Sequence, residues 1–239
     1  MRTLATRALG IAAAIAAAAP ITATAQNLVY LTDWPKHAIG VTGTLARPVG
    51  EFQDFVSWGG GLSAYWTMAF DRDRHYALRV DATGLLYGHE RFYIPLSPTV
   101  GRVRLSVSTD NFIVGAGAGP EFATQMGPFR PYLFGTAGFS YFATVSSVSD
   151  DPGGPTLGNT TNFDDWRLAL TAGTGVQVLV SHGRKPIALD FGAVLTRNGE
   201  TDYLTRGGVI DNGDGTVTVL PIRSNADLVT MRVGVVFGL

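Results

Sequence analysis

The fourteen residues from Ala226 to Leu239 alternate apolar side chains with small or polar ones almost without a break. At the period of two that a strand imposes, Val229, Met231, Val233, Val235, Phe237 and Leu239 share one face. Leu228, Thr230, Arg232, Gly234, Val236 and Gly238 share the other. An edge strand this apolar is a template for aggregation unless another strand pairs with it. The chain must therefore supply a partner, and a closed barrel is the arrangement that leaves no edge.

The rest of the chain has the rhythm such a barrel needs. Short polar turns at Asp71-Arg72-Asp73-Arg74, Gln125-Met126-Gly127-Pro128 and Ser181-His182-Gly183-Arg184 each separate two alternating runs. Between them lie longer polar stretches, Pro48 to Ser57, Gly88 to Asp110, Ser149 to Asp164 and Asn198 to Ser224. Three short and four long connections join eight strands. Short links alternating with long ones are the habit of transmembrane barrels.

Each of the seven earlier runs has an apolar face, carried for instance by Ile39, Val41 and Leu45, by Leu62, Trp66 and Phe70, or by Trp166, Leu168 and Leu170. Six charges fall inside the strands: Arg79, Asp81, Glu121, Arg167, Asp190 and Arg232. All six lie on the less apolar face, and a slip of one residue would reverse every assignment. Two barrels fit this pattern. A soluble one, such as a lipocalin, turns the apolar face inward; a membrane one turns it outward.

Four features favour the second. The polar face is built of Gly, Ser and Thr rather than Lys and Glu, as in a packed lumen. The six charges divide three and three, as burial requires. Aromatic residues gather near strand ends (Phe70, Tyr76, Phe122, Tyr141, Trp166, Phe237), where interfacial girdles sit. The connections alternate short and long.

The chain opens as a secretory signal does. Arg2 and Arg7 precede an alanine-rich apolar run, and Ala23-Thr24-Ala25 is a small-residue cleavage site before Gln26. Residues 1–25 are expected to be removed, 26–36 to form a periplasmic leader, and 37–239 to form the barrel. Loss of two arginines takes the net charge from −1 to about −3, which excludes a basic footprint for nucleic acid. The absence of cysteine excludes disulfide frameworks, zinc ribbons and thiol catalysis.

The last eight residues place a polar residue at Arg232, Gly234, an aromatic Phe237 and an apolar Leu239. This resembles the terminal strand of outer-membrane β-barrels, although an aromatic more usually ends the chain. Together with the eight alternating runs, the chain resembles the eight-stranded outer-membrane barrels of the OmpA/OmpX-like superfamily. The resemblance implies an all-β, antiparallel, up-and-down barrel in the outer membrane of a diderm bacterium; because no extension follows the last strand, no appended periplasmic domain is expected. It also implies contact with outer-membrane lipid, and recognition of Arg232, Gly234, Phe237 and Leu239 by the barrel-assembly machinery.

Candidate chemistry is sparse. Gly115-Ala-Gly-Ala-Gly119 lies within a strand and lacks the following helix of a phosphate loop. The inward Tyr132, Phe134 and Phe142 are expected to lie over glycines on both neighbouring strands, Gly115, Gly117 and Gly119 on one side and Gly173 and Gly175 on the other. The six inward charges are expected to form a paired network filling the lumen; a gate for small ions is the alternative role. His89, Ser97 and Asp110 share one outer loop region, as in outer-membrane enzymes that modify lipid A, but spacing does not bring them together. Asp211-Asn-Gly-Asp-Gly215 lacks the downstream glutamate of a calcium loop and reads as a hairpin turn. Arg102 and Arg104 lie where strand four could continue above the membrane as a raised sheet. No cofactor and no metal ligand set is expected. The expected role is structural or surface-interacting, with an extracellular ligand held by the loops.

Overall fold

The computed structural model describes residues 34–95, 104–149, 156–205, 207–211 and 217–239. The signal sequence, leader residues 26–33, Ser97, Arg102 and the turn residues 212–216 lie outside them. Among the described residues twelve strands follow in chain order: β1 (His37–Val49), β2 (Gly59–Ala69), β3 (Tyr76–Pro95), β4 (Arg104–Ala123), β5 (Phe129–Ser149), β6 (Thr156–Ser181), β7 (Ile187–Arg197), β8 (Glu200–Tyr203), β9 (Val209–Asp211), β10 (Val217–Val219), β11 (Ile222–Asn225) and β12 (Asp227–Gly238). A 3-10 turn, Gly50–Asp54, follows β1.

Eight of these strands close into an antiparallel barrel in the order β1-β12-β7-β6-β5-β4-β3-β2. The terminal strand finds its partner in β1, with Ile39 opposite Phe237, Val41 opposite Val235 and Leu45 opposite Met231. Closure thus removes both edges. The four small strands belong to the last long loop, where β8 pairs with β11 and β9 with β10. The expected hairpin around Asp211–Gly215 is the β9–β10 pair, its turn lying outside the described residues.

The alternation sets the faces as the sequence predicts. Leu62, Leu168, Met231 and Val233 are exposed on the outside, Leu168 at 71%, while Arg79, Glu121 and Asp190 are buried inside, each at 1% or less. An exposed apolar belt around a core of ionised groups is the reverse of a water-soluble barrel.

The strands are unequal in length. β1, β2, β7 and β12 have 13, 11, 11 and 12 residues, close to the roughly 9–11 that cross a bilayer core. β3, β4, β5 and β6 have 20, 20, 21 and 26. The excess all lies at the long-loop end, where these four strands stay paired with one another and rise as a sheet. β3 pairs with β2 only as far as Leu86, and β6 pairs with β7 only from Leu170 onward. The expected continuation of strand four is part of this sheet as far as Arg104, where the described strand begins.

Candidate functional site: the plugged lumen and the raised sheet

The lumen is built in layers. At its short-turn mouth, Trp34 turns inward ahead of β1 and packs with Ala38, Tyr65, Leu179, Ala188 and Val236. Its carbonyl accepts a bond from Arg74 Nε at 3.3 Å, and the Arg130 guanidinium lies 4.7 Å from its ring centre. Arg74 holds this position with a φ of 58° in the β2–β3 turn, a left-handed conformation that costs a non-glycine residue about 1 kcal/mol or more.

Above Trp34 lies the charge layer. Arg79 on β3 donates to Glu121 on β4 at 2.8 Å and is sandwiched between the rings of Tyr65 (3.6 Å) and Phe134 (4.2 Å). Arg130 on β5 donates to the other oxygen of Glu121 at 3.4 Å and to Gln177 Oε1 at 2.8 Å. Asp190 on β7 accepts hydroxyl bonds from Tyr65 and Tyr132, both at 2.8 Å. Arg232 on β12 reaches the Tyr132 hydroxyl at 3.5 Å. Asp81 stands 3.7 Å from Arg79 Nε. Three cations and three carboxylates therefore meet inside the barrel.

One of these, Arg130, is not among the six charges that the alternation of the strands points to. Arg130 shares the parity of Tyr132 and Phe134, but it sits at the very start of β5, beside the turn. Conversely, Arg167 is not part of the layer. It faces inward, but β6 carries it up to the rim, where it pairs with Asp165 at 2.7 Å and Asp202 at 3.5 Å.

Glycine explains how large rings fit here. Tyr132, Gly175, Gly192 and Arg232 are successive register partners across β5, β6, β7 and β12. A Cβ at Gly175 would collide with the Tyr132 ring, and one at Gly173 with the Phe134 ring. The expected packing of rings over glycines thus holds on the β6 side. It fails on the β4 side: Gly115 and Gly117 have Ser140 and Thr136 hydroxyls as neighbours, not rings. Those glycines instead border a cavity of about 60 Å³, sized for about two water molecules, which also touches Asp81, Asn198 and Arg232. Side chains leave this chamber rather than filling the lumen throughout.

The packing at the long-loop mouth is apolar. Phe52, from the 3-10 turn, meets Tyr203 of β8 edge-on with ring centres 4.8 Å apart. Phe142, Leu85, Ile113 and Leu228 complete the cluster.

The remaining candidates are scattered. His89 and Asp110 face each other across β3 and β4 on the raised sheet, Nδ1 to Oδ1 at 2.6 Å. Ser97, the third member of that set, lies outside the described residues. His37, His75 and His182 belong to the short-turn end. Asp71, Asp73 and His75 bring ligand atoms within 4.8 Å of one another. Both Asp71 oxygens, however, already accept backbone N–H bonds, from His75 at 2.9 Å and Tyr76 at 2.8 Å. That makes Asp71 a turn cap.

The closed ring, apolar outside and ionised inside, with short turns at one end and long loops at the other, defines an eight-stranded transmembrane β-barrel of the outer-membrane kind. Among solved structures the chain is similar to Neisserial surface protein A, at 17% identity and a TM-score of 0.46, over 85% of this chain and 97% of that one. It is also similar to Ail, the attachment invasion locus protein of Yersinia pestis, solved alone and with the heparin analogue sucrose octasulfate. Both Ail structures are 13% identical over 84% of this chain and 95% of theirs, with TM-scores of 0.40 and 0.41. No family model and no curated protein matches the chain.

Proposed function

We propose that the protein resides in the outer membrane of a diderm bacterium, after signal cleavage, and serves as a surface-interaction barrel with a plugged lumen. The observation that carries this reading is the unequal strand length. Raising β3 to β6 beyond the bilayer exposes backbone and side chains that contribute nothing to spanning it. In this reading the short-turn end faces the periplasm, the apolar belt contacts outer-membrane lipid, and the barrel-assembly machinery reads Arg232, Gly234, Phe237 and Leu239.

The charge layer serves as a static plug, and no cofactor is needed for it. The long-loop segments 47–58, 87–110, 146–167 and 197–227 carry thirteen acidic and eight basic residues. That balance favours a neutral or cationic ligand over a polyanion such as the heparin analogue bound by Ail, and it disfavours nucleic acid. A cysteine placed at Gly158 tests the reading: it is expected to react with an impermeant maleimide on intact cells. Labelling only after cell disruption overturns it.

A narrow gated pore is the second reading, favoured by the chamber beside Arg232. It requires the Trp34 and Phe52–Tyr203 closures both to move. Planar-bilayer recordings separate the two, since a static plug conducts nothing above background. A lipid A-modifying activity would need a nucleophile within hydrogen-bond reach of His89. Unchanged lipid A in a His89→Ala strain is the expected result.

A further inference from the structure

The two ends of the barrel carry opposite charge. At the short-turn end, residues 34–36, 70–75, 124–128 and 182–186 hold five cations, Lys36, Arg72, Arg74, Arg184 and Lys185. Against these stand Asp71 and Asp73, for a side-chain charge of +3. Counting Asp33 of the leader still leaves five cations to three carboxylates. The long-loop segments, with thirteen acidic and eight basic residues, come to −5.

The cations are not spread evenly around the rim. The β4–β5 turn, 124–128, has no charged residue, and its Met126 is exposed. Lys36, Arg184 and Lys185 gather instead over three adjacent strands, β1, β12 and β7, and all three are exposed. Their backbone is fixed. The Lys36 carbonyl accepts from Ala69 N–H at 2.8 Å, and the Pro186 carbonyl accepts from Gly238 N–H at 2.8 Å. A Cβ at Gly238 would meet the rings of both Pro35 and Pro186 at 2.6 Å. Pro35-Lys36 and Lys185-Pro186 therefore grip the end of β12 from either side.

Height decides what these cations meet. Lys36 lies three residues before Ile39, and Lys185 two before Ile187; both isoleucines are register partners of Phe237 in the apolar belt. At about 3.3 Å per residue and a strand tilt of about 40°, that is a rise of roughly 5–8 Å above the belt. The headgroup layer on each side of the hydrocarbon is itself roughly 5–7 Å deep. The cations thus stand level with lipid phosphates.

We propose that Lys36, Arg184 and Lys185 bind anionic phospholipid headgroups, whose phosphate no headgroup amine cancels, in the leaflet that borders the short-turn end. Arg184 offers planar paired donors to phosphate oxygens, and the lysines add point charges. A zwitterionic headgroup brings the same phosphate with an amine that these cations repel. A polyanionic wall polymer fits less well, because the cations lie beside the apolar belt rather than beyond it. The inference rests on the membrane-spanning barrel, not on the orientation or the surface role proposed above.

Because the chain has no cysteine, a fluorophore can be attached at a single introduced position. Ser181→Cys places it beside the patch, and Met126→Cys on the uncharged turn; both sites are exposed. Each labelled full-length barrel is reconstituted in phosphatidylcholine vesicles doped with a chain-nitroxide quencher, either phosphatidylglycerol or phosphatidylcholine. At Ser181 the phosphatidylglycerol quencher should associate about fivefold or more tightly than the other. At Met126 the two should quench alike. Arg184→Glu with Lys185→Glu should abolish the difference at Ser181, in a barrel whose heat-modifiable migration shows it folded. Equal quenching by both lipids at Ser181 overturns the proposal. So does a preference as large at Met126, or one that survives the double charge reversal. Retention on isolated cell-wall sacculi that the double variant loses, without a lipid preference, assigns the patch to a wall polymer and also overturns it. Vesicles are blind to orientation in the cell, so failure here leaves the labelling result on intact cells standing, and the reverse also holds.

Discussion

The Tyr132 hydroxyl donates to Asp190 at 2.8 Å, and its ring crosses Gly175 and Gly192, on two successive strands, to reach it. Asp190 is fully buried, and a second hydroxyl, from Tyr65, satisfies its other oxygen. A carboxylate on β7 is thus held from β2 and from β5, across the width of the lumen.

Removing either hydroxyl leaves Asp190 with one donor fewer where water has little access. Tyr132→Phe and Tyr65→Phe are each expected to destabilise the barrel by about 1.5–3 kcal/mol, read from the urea midpoint of unfolding in lipid vesicles. Because both act on one acceptor, the double variant should depart from the sum of the singles.

Glu121 compensates two cations, Arg79 and Arg130, at 2.8 and 3.4 Å. Glu121→Ala leaves both guanidinium groups buried without it, at an expected cost of about 3–5 kcal/mol. The measurement is the temperature at which the compact, heat-modifiable form is lost.

Glycine substitutions should divide by face. Gly173→Ala drives a methyl into the Phe134 ring and toward the Ala193 carbonyl, an overpacking expected to cost about 1–3 kcal/mol. Gly84→Ala, where an added Cβ meets nothing within 4 Å, should change stability by no more than about 0.5 kcal/mol. Equal urea midpoints for the two variants would contradict the ring-over-glycine packing.

Asp71 gives a pH dependence with a defined sign. Desolvation pushes its pKa up, but the backbone N–H groups of Tyr76 and His75 outweigh this and hold it below the ordinary 3.8. A depressed carboxylate contributes stability that is present above its ordinary value and is lost as pH falls through the lower, folded one. The Asp71 carbon resonance should therefore titrate below 3.8. Protection of the His75 and Tyr76 amides, taken relative to the intrinsic exchange rate at each pH, should fall as the pH drops through that midpoint.

Much of the barrel was legible because period-two alternation is a strong signal when one face meets lipid. Val229 to Leu239 announced both a face and a need for a partner, and Ile39, Val41 and Leu45 supplied it. Parity also placed Arg79, Asp81, Glu121, Asp190 and Arg232 inside. Parity says nothing about height, however. Arg167 has the right face but sits on the longest strand, which lifts it to the rim beside Asp165 and Asp202. Arg130 was hidden by its nearness to a turn, although its spacing of two from Tyr132 was the signal that could have found it. Trp34 and Phe52 were out of reach for another reason. They pack at the two mouths from segments with no periodicity, and only the closed ring gives them a surface to pack on.

Arg232 is the last of the six charges of the layer in chain order, and it stands on β12, the strand that meets β1. Without it, two cations, Arg79 and Arg130, would face Asp81, Glu121 and Asp190. One element thus supplies both the partner that the first strand lacks and the third cation that the three carboxylates lack.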